Sequence, residues 1–280
     1  MDGGAGETET VCVTGAGGFI ASWLVQLLLS RGGYVVRGTV GDPSDPKNAH
    51  LMALDGARER LRLLKADLLD YASVAAAVAG CDGVFHVASP VPAVNPPNPD
   101  VEVLAPAVTG TRHVLAAGVR RVVVVSSVGA VIMNTKIPGG AVVDEDSWSD
   151  EDYCRTTENW YCLSKTVAER EALAYGEKAG LDVVTVCPPW VLGPLLQPTL
   201  NTTSMRLVTY LKGENTEEKM RNMVDVRDVA DALVLAYEAT PEASARRRYI
   251  CSAHAMKVSE TVALVNSLHP DLKLLDCPRK

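Results

Sequence analysis

Tyr161 and Lys165 lie four residues apart in ENWYCLSKTVAE (158–169), a stretch of helical character. At that spacing one helix face carries both side chains. A phenol beside an ammonium can pass a proton to an oxygen on which charge develops during attack on a carbonyl. Free tyrosine ionises at about pH 10 and is a poor acid–base group at neutrality. A neighbouring cation would favour the phenolate and lower that value. The same spacing occurs in ordinary surface pairs, so the surrounding residues decide between the two.

Those surroundings begin with Thr14-Gly15-Ala16-Gly17-Gly18-Phe19-Ile20-Ala21, which follows a β-branched run and opens a helix. The spacing is G-x-x-G-x-x-A, a variant of the dinucleotide fingerprint. Gly15 allows the tight turn and Gly18 a close approach to pyrophosphate. Ala21 lets the helix pack, with its N-terminus facing the phosphates. Arg37 follows about 20 residues beyond the glycines on the next run, where an acid would select NAD; arginine there favours a 2′-phosphate and therefore NADP, with Lys47 assisting. An exposed arginine at a strand end is the alternative. Asp67 closes a third run and either accepts from an adenine amino group, with Leu68 packing on the ring, or caps a helix. Val87, Ala88 and Ser89 close the fourth run with small residues beside the cofactor; His86 before them carries no assigned role. Pro188 and Val191, after the sixth run, complete the candidate cofactor wall.

Ser126 and Ser127 end the fifth run. Val125 breaks the G-x-S-x-G pattern of a serine hydrolase. A hydroxyl at this end of a sheet instead lies beside a cofactor bound at 15–21, able to hydrogen-bond a substrate carbonyl. Serine, Tyr161 and Lys165 would then converge on one face of a nicotinamide, whose oxidised form adds positive charge near the phenol.

The elements needed to place these groups are legible as six apolar runs, at 10–15, 34–40, 61–67, 83–89, 121–127 and 182–188. Helical patterns near 19–31, 48–58, 71–79, 100–117 and 158–179 separate them. This alternation predicts an α/β fold, a Rossmann doubly wound parallel sheet. Residues 1–188 are expected to form the NADP-binding domain with the catalytic trio. The proline-rich PPWVLGPLLQPT then leads into a smaller C-terminal substrate lobe over 189–280, packed at the carboxyl ends of the strands.

Composition narrows the function classes. With 280 residues, 47% apolar and 22% charged, the chain supports a substantial core. A net charge of −7 argues against a nucleic-acid surface. The 7 cysteines are odd in number and scattered, which suits a reducing compartment. The 5 histidines form no ligand spacing, so no metal site is expected. The N-terminal MDGGAGETET has no secretory character, and FIASWLVQLLL is too short to span a bilayer. The expectation is a cytoplasmic protein acting on a small molecule, with no membrane or nucleic-acid partner, and a monomer favoured.

Taken together, VTGAGGFIASWLV, FHVASPV, VVVSSVGAV, VDEDSWSDEDYC, NWYCLSK and VLGPLLQPT resemble the extended short-chain dehydrogenase/reductases of the plant cinnamoyl-CoA reductase and dihydroflavonol reductase group. The resemblance covers nearly the whole chain and maps the family's Ser-Tyr-Lys onto Ser127, Tyr161 and Lys165, with Ser126 as the fallback. It implies NADPH-dependent reduction of a hydroxycinnamoyl-CoA thioester to the aldehyde. A ketone or aldehyde reductase and a catalytically silent NADP-binding protein are the alternatives. The chain departs from the family at Leu163-Ser164 and at Gly41, where a second basic residue is expected. A further departure is at Arg206 and Thr209, aligned with a His-x-x-K pair; Arg206 and Lys212 are left to meet CoA phosphates. The helix at 100–117 is about one turn shorter than the family's, and the chain ends some tens of residues early. Cys154 and Cys162 bracket the approach to Tyr161. They pair only if a helix starts between them, because residues eight apart in one helix are separated by about 12 Å.

Overall fold

The computed structural model describes residues 8–92, 94–138, 141–215, 217–240 and 247–270. Cys277 and the last ten residues of the expected C-terminal lobe lie outside the described residues. Six strands follow the expected runs: β1 (Glu9–Val13), β2 (Tyr34–Val40), β3 (Leu61–Lys65), β4 (Gly83–His86), β5 (Arg121–Val125) and β6 (Asp182–Cys187). Later in the chain come β7 (Trp190–Leu192), β8 (Met220–Asp225), β9 (Arg248–Ile250) and β10 (His254–Lys257). The main sheet has the order β3-β2-β1-β4-β5-β6-β9, with every pair parallel. The order reverses between β1 and β4, the switch point at which doubly wound sheets open a ligand crevice.

Both faces of the sheet are covered, which explains why its strands are apolar throughout. Val11, Val13, Val123, Val125, Val184 and Val186 point to one face. There they meet α1 (Phe19–Arg31) and α9 (Val226–Glu238), which pack on each other. The alternate residues Cys12, Val122, Val124 and Val183 point to the other face. They meet α4 (Tyr71–Val78), α5 (Ala105–Ala116) and α7 (Trp160–Ala179). The two-residue period of a strand divides one run between two cores.

Three expectations change. The helix expected over 48–58 is a 3-10 turn (Pro46–Asn48) followed by the short α2 (Ala49–Met52) and α3 (Ala57–Arg60). The helix expected from residue 100 begins as a π turn, Asp100–Leu104, in which the Ala105 amide donates to the Asp100 carbonyl. Pro106 lacks an N–H to continue the ladder, and the wider turn accommodates it. Finally, chain beyond residue 188 returns to the main sheet: α9 packs on α1 and β9 pairs with β6. The buried stripe Val226, Val229, Ala230, Leu233, Val234 and Tyr237 drives that return. The separate small sheet is β10-β8-β7, flanked by α8 (Thr202–Leu211) and α10 (Val258–Leu268). No described helix is long and apolar enough to cross a membrane.

Candidate active site

At the β1/β4 switch point lies a cavity of about 790 Å³. Its floor is the glycine loop and the first turn of α1, through Gly15, Gly18, Phe19, Ile20 and Ala21. Gly15 has φ +66°, and a Cβ there would stand 3.0 Å from the Ala88 Cβ. Only glycine allows both the turn and that approach. The Gly15 and Ala16 amides are taken by the Thr39 hydroxyl and carbonyl. The first turn of the 13-residue α1 has no side-chain cap, so its amides and positive dipole end face the cavity. That is the donor set a pyrophosphate requires.

The β4 wall carries Val87, Ala88 and Ser89, and the β3 wall carries Asp67 and Leu68. Asp67 lines the cavity, and its Oδ1 accepts from the Leu69 amide at 2.9 Å in the turn before α4; the cap of that helix is Asp70, not Asp67. Val125, Ser126, Tyr161, Lys165, Pro188 and Val191 close the reacting end. Thr14 lies behind the wall at 1% exposure. Its hydroxyl accepts from the Val87 and Ala88 amides at 3.0 Å, joining β1 to β4. Gly17 faces away from the cavity toward the Asn48 side chain.

Arg37 requires correction. β2 continues to Val40, so Arg37 is a mid-strand residue, and its guanidinium donates to the Ala77 and Ala79 carbonyls at the end of α4. It satisfies helix carbonyls and does not reach the cavity wall. Lys47 pairs with Asp45 at 2.9 Å and is also off the wall. On the β3 side of the cavity the lining cation is Lys65, at the end of β3 beside Gly41. Its position was missed because a lysine before Ala-Asp carries no motif. The substrate candidates are displaced as well. Arg206 is exposed one turn into α8, and Lys212 lies at the far end of that helix, 3.9 Å from Glu214. From this lobe the cavity is reached by Val191 of β7 and by Leu200, Asn201, Thr202 and Thr203 around the start of α8. Thr202 ties that start to the Val91 carbonyl across the mouth, at 3.2 Å.

The helix that carries Tyr161 and Lys165, α7, is placed from its N-terminus. Glu158 takes the left-handed conformation (φ 53°) between α6 (Glu151–Thr156) and α7. Its carbonyl accepts from the Asn95 side chain at 3.1 Å, and Asn159 caps α7 through the Cys162 amide. Tyr161 and Lys165 then share the inward face. Lys165 Nζ donates to the Val125 carbonyl at 3.0 Å and stands 6.0 Å from the Tyr161 ring centroid. The two serines separate in role. Ser126 donates to Glu169 at 2.7 Å, whereas Ser127 accepts from the Gly129 amide and faces the Tyr161 phenol.

The electrostatics reverse one expectation. Burial pushes the Tyr161 phenol up to about 12, with the Ser127 contact opposing the rise. Lys165, turned to a carbonyl, does not lower it. Burial also pulls the Lys165 ammonium down to about 8, while Glu169 holds it up. At neutral pH the pair is therefore a protonated phenol beside an ammonium, poised to donate. Cys154 is buried in α6 and Cys162 stands in the separate α7; both are free thiols, and burial pushes Cys162 up to about 12. Among the described residues, no His, Cys, Asp and Glu cluster is placed to hold a metal.

Comparison with known proteins follows this geometry. Residues 11–251 match the NAD dependent epimerase/dehydratase family. Cinnamoyl-CoA reductase 2 of Medicago truncatula is 50% identical over 276 residues, covering 96% of this chain and 80% of that protein. The crystal structure of vestitone reductase from alfalfa (Medicago sativa) superposes with a TM-score of 0.80 at 34% identity, covering 94% of this chain and 83% of that one. Gre2 from Candida albicans in complex with NADPH gives a TM-score of 0.82 at 29% identity, over 95% of this chain and 84% of its own.

Proposed function

The chain belongs to the NAD dependent epimerase/dehydratase family, and on that premise we infer that it is an NADP-dependent oxidoreductase reducing a hydroxycinnamoyl-CoA thioester to its aldehyde. The observation that carries this reading is one cavity holding both the uncapped α1 terminus and the Tyr161–Lys165 pair. Bound NADPH supplies the hydride. The α1 amides would hold its pyrophosphate, Asp67 and Leu68 its adenine, and Lys65 its 2′-phosphate. The chain's own chemistry is proton delivery. As charge builds on the carbonyl oxygen, the Tyr161 phenol, with Ser127 hydrogen-bonded beside it, would give up its proton. The Lys165 ammonium, turned to the Val125 carbonyl in the resting site, would swing from it to meet the phenolate left behind. Collapse of the resulting hemithioacetal releases the thiol. The substrate-binding lobe would be the small sheet with α8 and α10, whose Asn201–Thr203 segment borders the reacting end.

The 50% identity to a cinnamoyl-CoA reductase supports the thioester substrate. The 34% identity to vestitone reductase supports a second reading, a ketone or aldehyde reductase, in which no thiol is freed. Free thiols at all six described cysteines support a reducing setting. The test follows NADPH absorbance and free thiol together with feruloyl-CoA as substrate. Equal NADPH loss and thiol release, lost by a factor of roughly 100 or more in Tyr161→Phe, is the expected result. NADPH loss on a ketone without thiol release would replace it with the second reading.

A further inference from the structure

The face of α7 that carries Tyr161 and Lys165 continues, one turn deeper, to a charge that proton delivery, as set out above, does not use. Glu169 lies one turn beyond Lys165 and its side chain is completely buried. Its carboxylate accepts from three other elements. Oε2 receives the Ser126 hydroxyl at 2.7 Å, and Oε1 receives the Thr185 hydroxyl at 2.6 Å and the Cys187 thiol at 3.2 Å. Arg248, from β9, grips both oxygens through Nε at 2.9 Å and Nη2 at 3.2 Å. Its remaining N–H groups donate to the Glu145, Ser147 and Ala130 carbonyls, and its guanidinium stacks 3.7 Å from the Trp148 ring centroid. All five arginine donors are thus satisfied, as a buried guanidinium requires.

The placement matters because consecutive turns of α7 hold consecutive residues at the end of β5. Lys165 binds the Val125 carbonyl, Glu169 binds the Ser126 hydroxyl, and Ser127 follows directly. We propose that Glu169 and Arg248 form a positioning pair, through which β9 sets both the β5 terminus and the Lys165 side chain for catalysis. The proposal rests on Tyr161 and Lys165 acting as assigned above. It adds a second site of control that no motif marks.

Charge supports the same conclusion. Lys165 is faced by Tyr161 and Glu169 on its own helix, by Cys187 from β6 and by His86 from β4. Burial pushes the Cys187 thiol up and pulls His86 down to about 3, so both are neutral. Tyr161 is protonated. Glu169 is therefore the anion opposing the burial that pulls Lys165 down to about 8. The charge of Glu169 is therefore read in the titration of Lys165, and its reach to β5 and Arg248 is read in kcat.

The experiment measures the pH profile of turnover, NADPH affinity and melting temperature for the wild type, Glu169→Gln, Glu169→Asp and Tyr161→Phe. In Glu169→Gln, the alkaline limb of turnover moves to lower pH by about one unit, since loss of the carboxylate favours neutral lysine. Glu169→Asp keeps its charge but shortens its reach, so the limb stays in place while kcat falls about tenfold and the NADPH Kd is unchanged. Should Glu169→Gln not fold, the kcat loss in Glu169→Asp decides alone. Native limb and native kcat in the folded variants overturn the proposal, as does failure of both to fold, which would mark a staple of the fold. Retained turnover in Tyr161→Phe would instead remove the catalytic assignment beneath it.

Discussion

Lys165 directs its ammonium to the Val125 carbonyl, leaving the Tyr161 ring 6.0 Å away and its phenol protonated. The pair is thus set for donation, the direction a reductase needs, and its ammonium is lost as pH rises through about 8. At the same scale, Lys65, for which the sequence offers no role, stands on the wall where Arg37 is expected. Arg37 closes the carbonyl end of α4, whereas Lys65 stands on the cavity wall. Lys65→Ala is therefore expected to raise the Kd for NADPH roughly tenfold while leaving that for NADH within a factor of about two, because one charge-assisted contact is lost. Arg37→Ala is expected to lower stability by about 1–3 kcal/mol, through loss of its charged hydrogen bonds to the Ala77 and Ala79 carbonyls, without changing cofactor preference. Fluorescence titration with both cofactors, together with thermal melting, checks both. A loss of NADPH preference in Arg37→Ala would return the 2′-phosphate to that residue.

Elements reach their positions through close approaches that one-dimensional patterns do not display. α9 lies against β4 because Gly83 leaves room for Tyr237, whose ring is 5.0 Å from Phe85 and whose hydroxyl donates to Glu9. A Cβ at Gly83 would stand 2.3 Å from the Tyr237 ring, itself held on both sides. Gly83→Ala should cost about 1–3 kcal/mol, as overpacking does, and lower the urea midpoint without altering cofactor affinity. An unchanged midpoint would mean that α9 moves freely on the sheet. The same helix answers the expected boundary at residue 188: its apolar stripe has its partner on α1, over the main sheet. Pro106 likewise explains why a single periodic run from residue 100 opens as a π turn. Hydrophobic period survives a π turn, so the sequence pattern does not reveal it.

For the molecule as a whole, His86 links stability to pH. It is 3% exposed, between the Thr14 and Thr111 hydroxyls. Burial first, and the Lys165 charge second, pull it from 6.5 to about 3. Below pH 6.5 the unfolded chain takes up a proton that the native state refuses, so stability falls with pH until about 3. Between pH 7 and 4.5 this one group should cost on the order of 2–3 kcal/mol. Urea unfolding at both pH values, in the wild type and in His86→Gln, measures it; an equal drop in the two proteins would refute the assignment. By itself, the sequence determined whatever depends on neighbours a few residues apart. The six apolar runs, the α1 glycine loop with its obligatory Gly15, the Tyr161–Lys165 face and the family resemblance are all of this local kind. Tertiary structure alone decided where Arg37 points, which serine is committed to Glu169, and which lysine borders the adenosine end. It also decided that Arg248 meets Glu169 across 79 residues of chain. Local geometry obeys the periodicity of helix and strand and is written in spacing. The direction of a long polar side chain follows from which distant carbonyl or carboxylate folding brings within reach, and spacing carries no record of that.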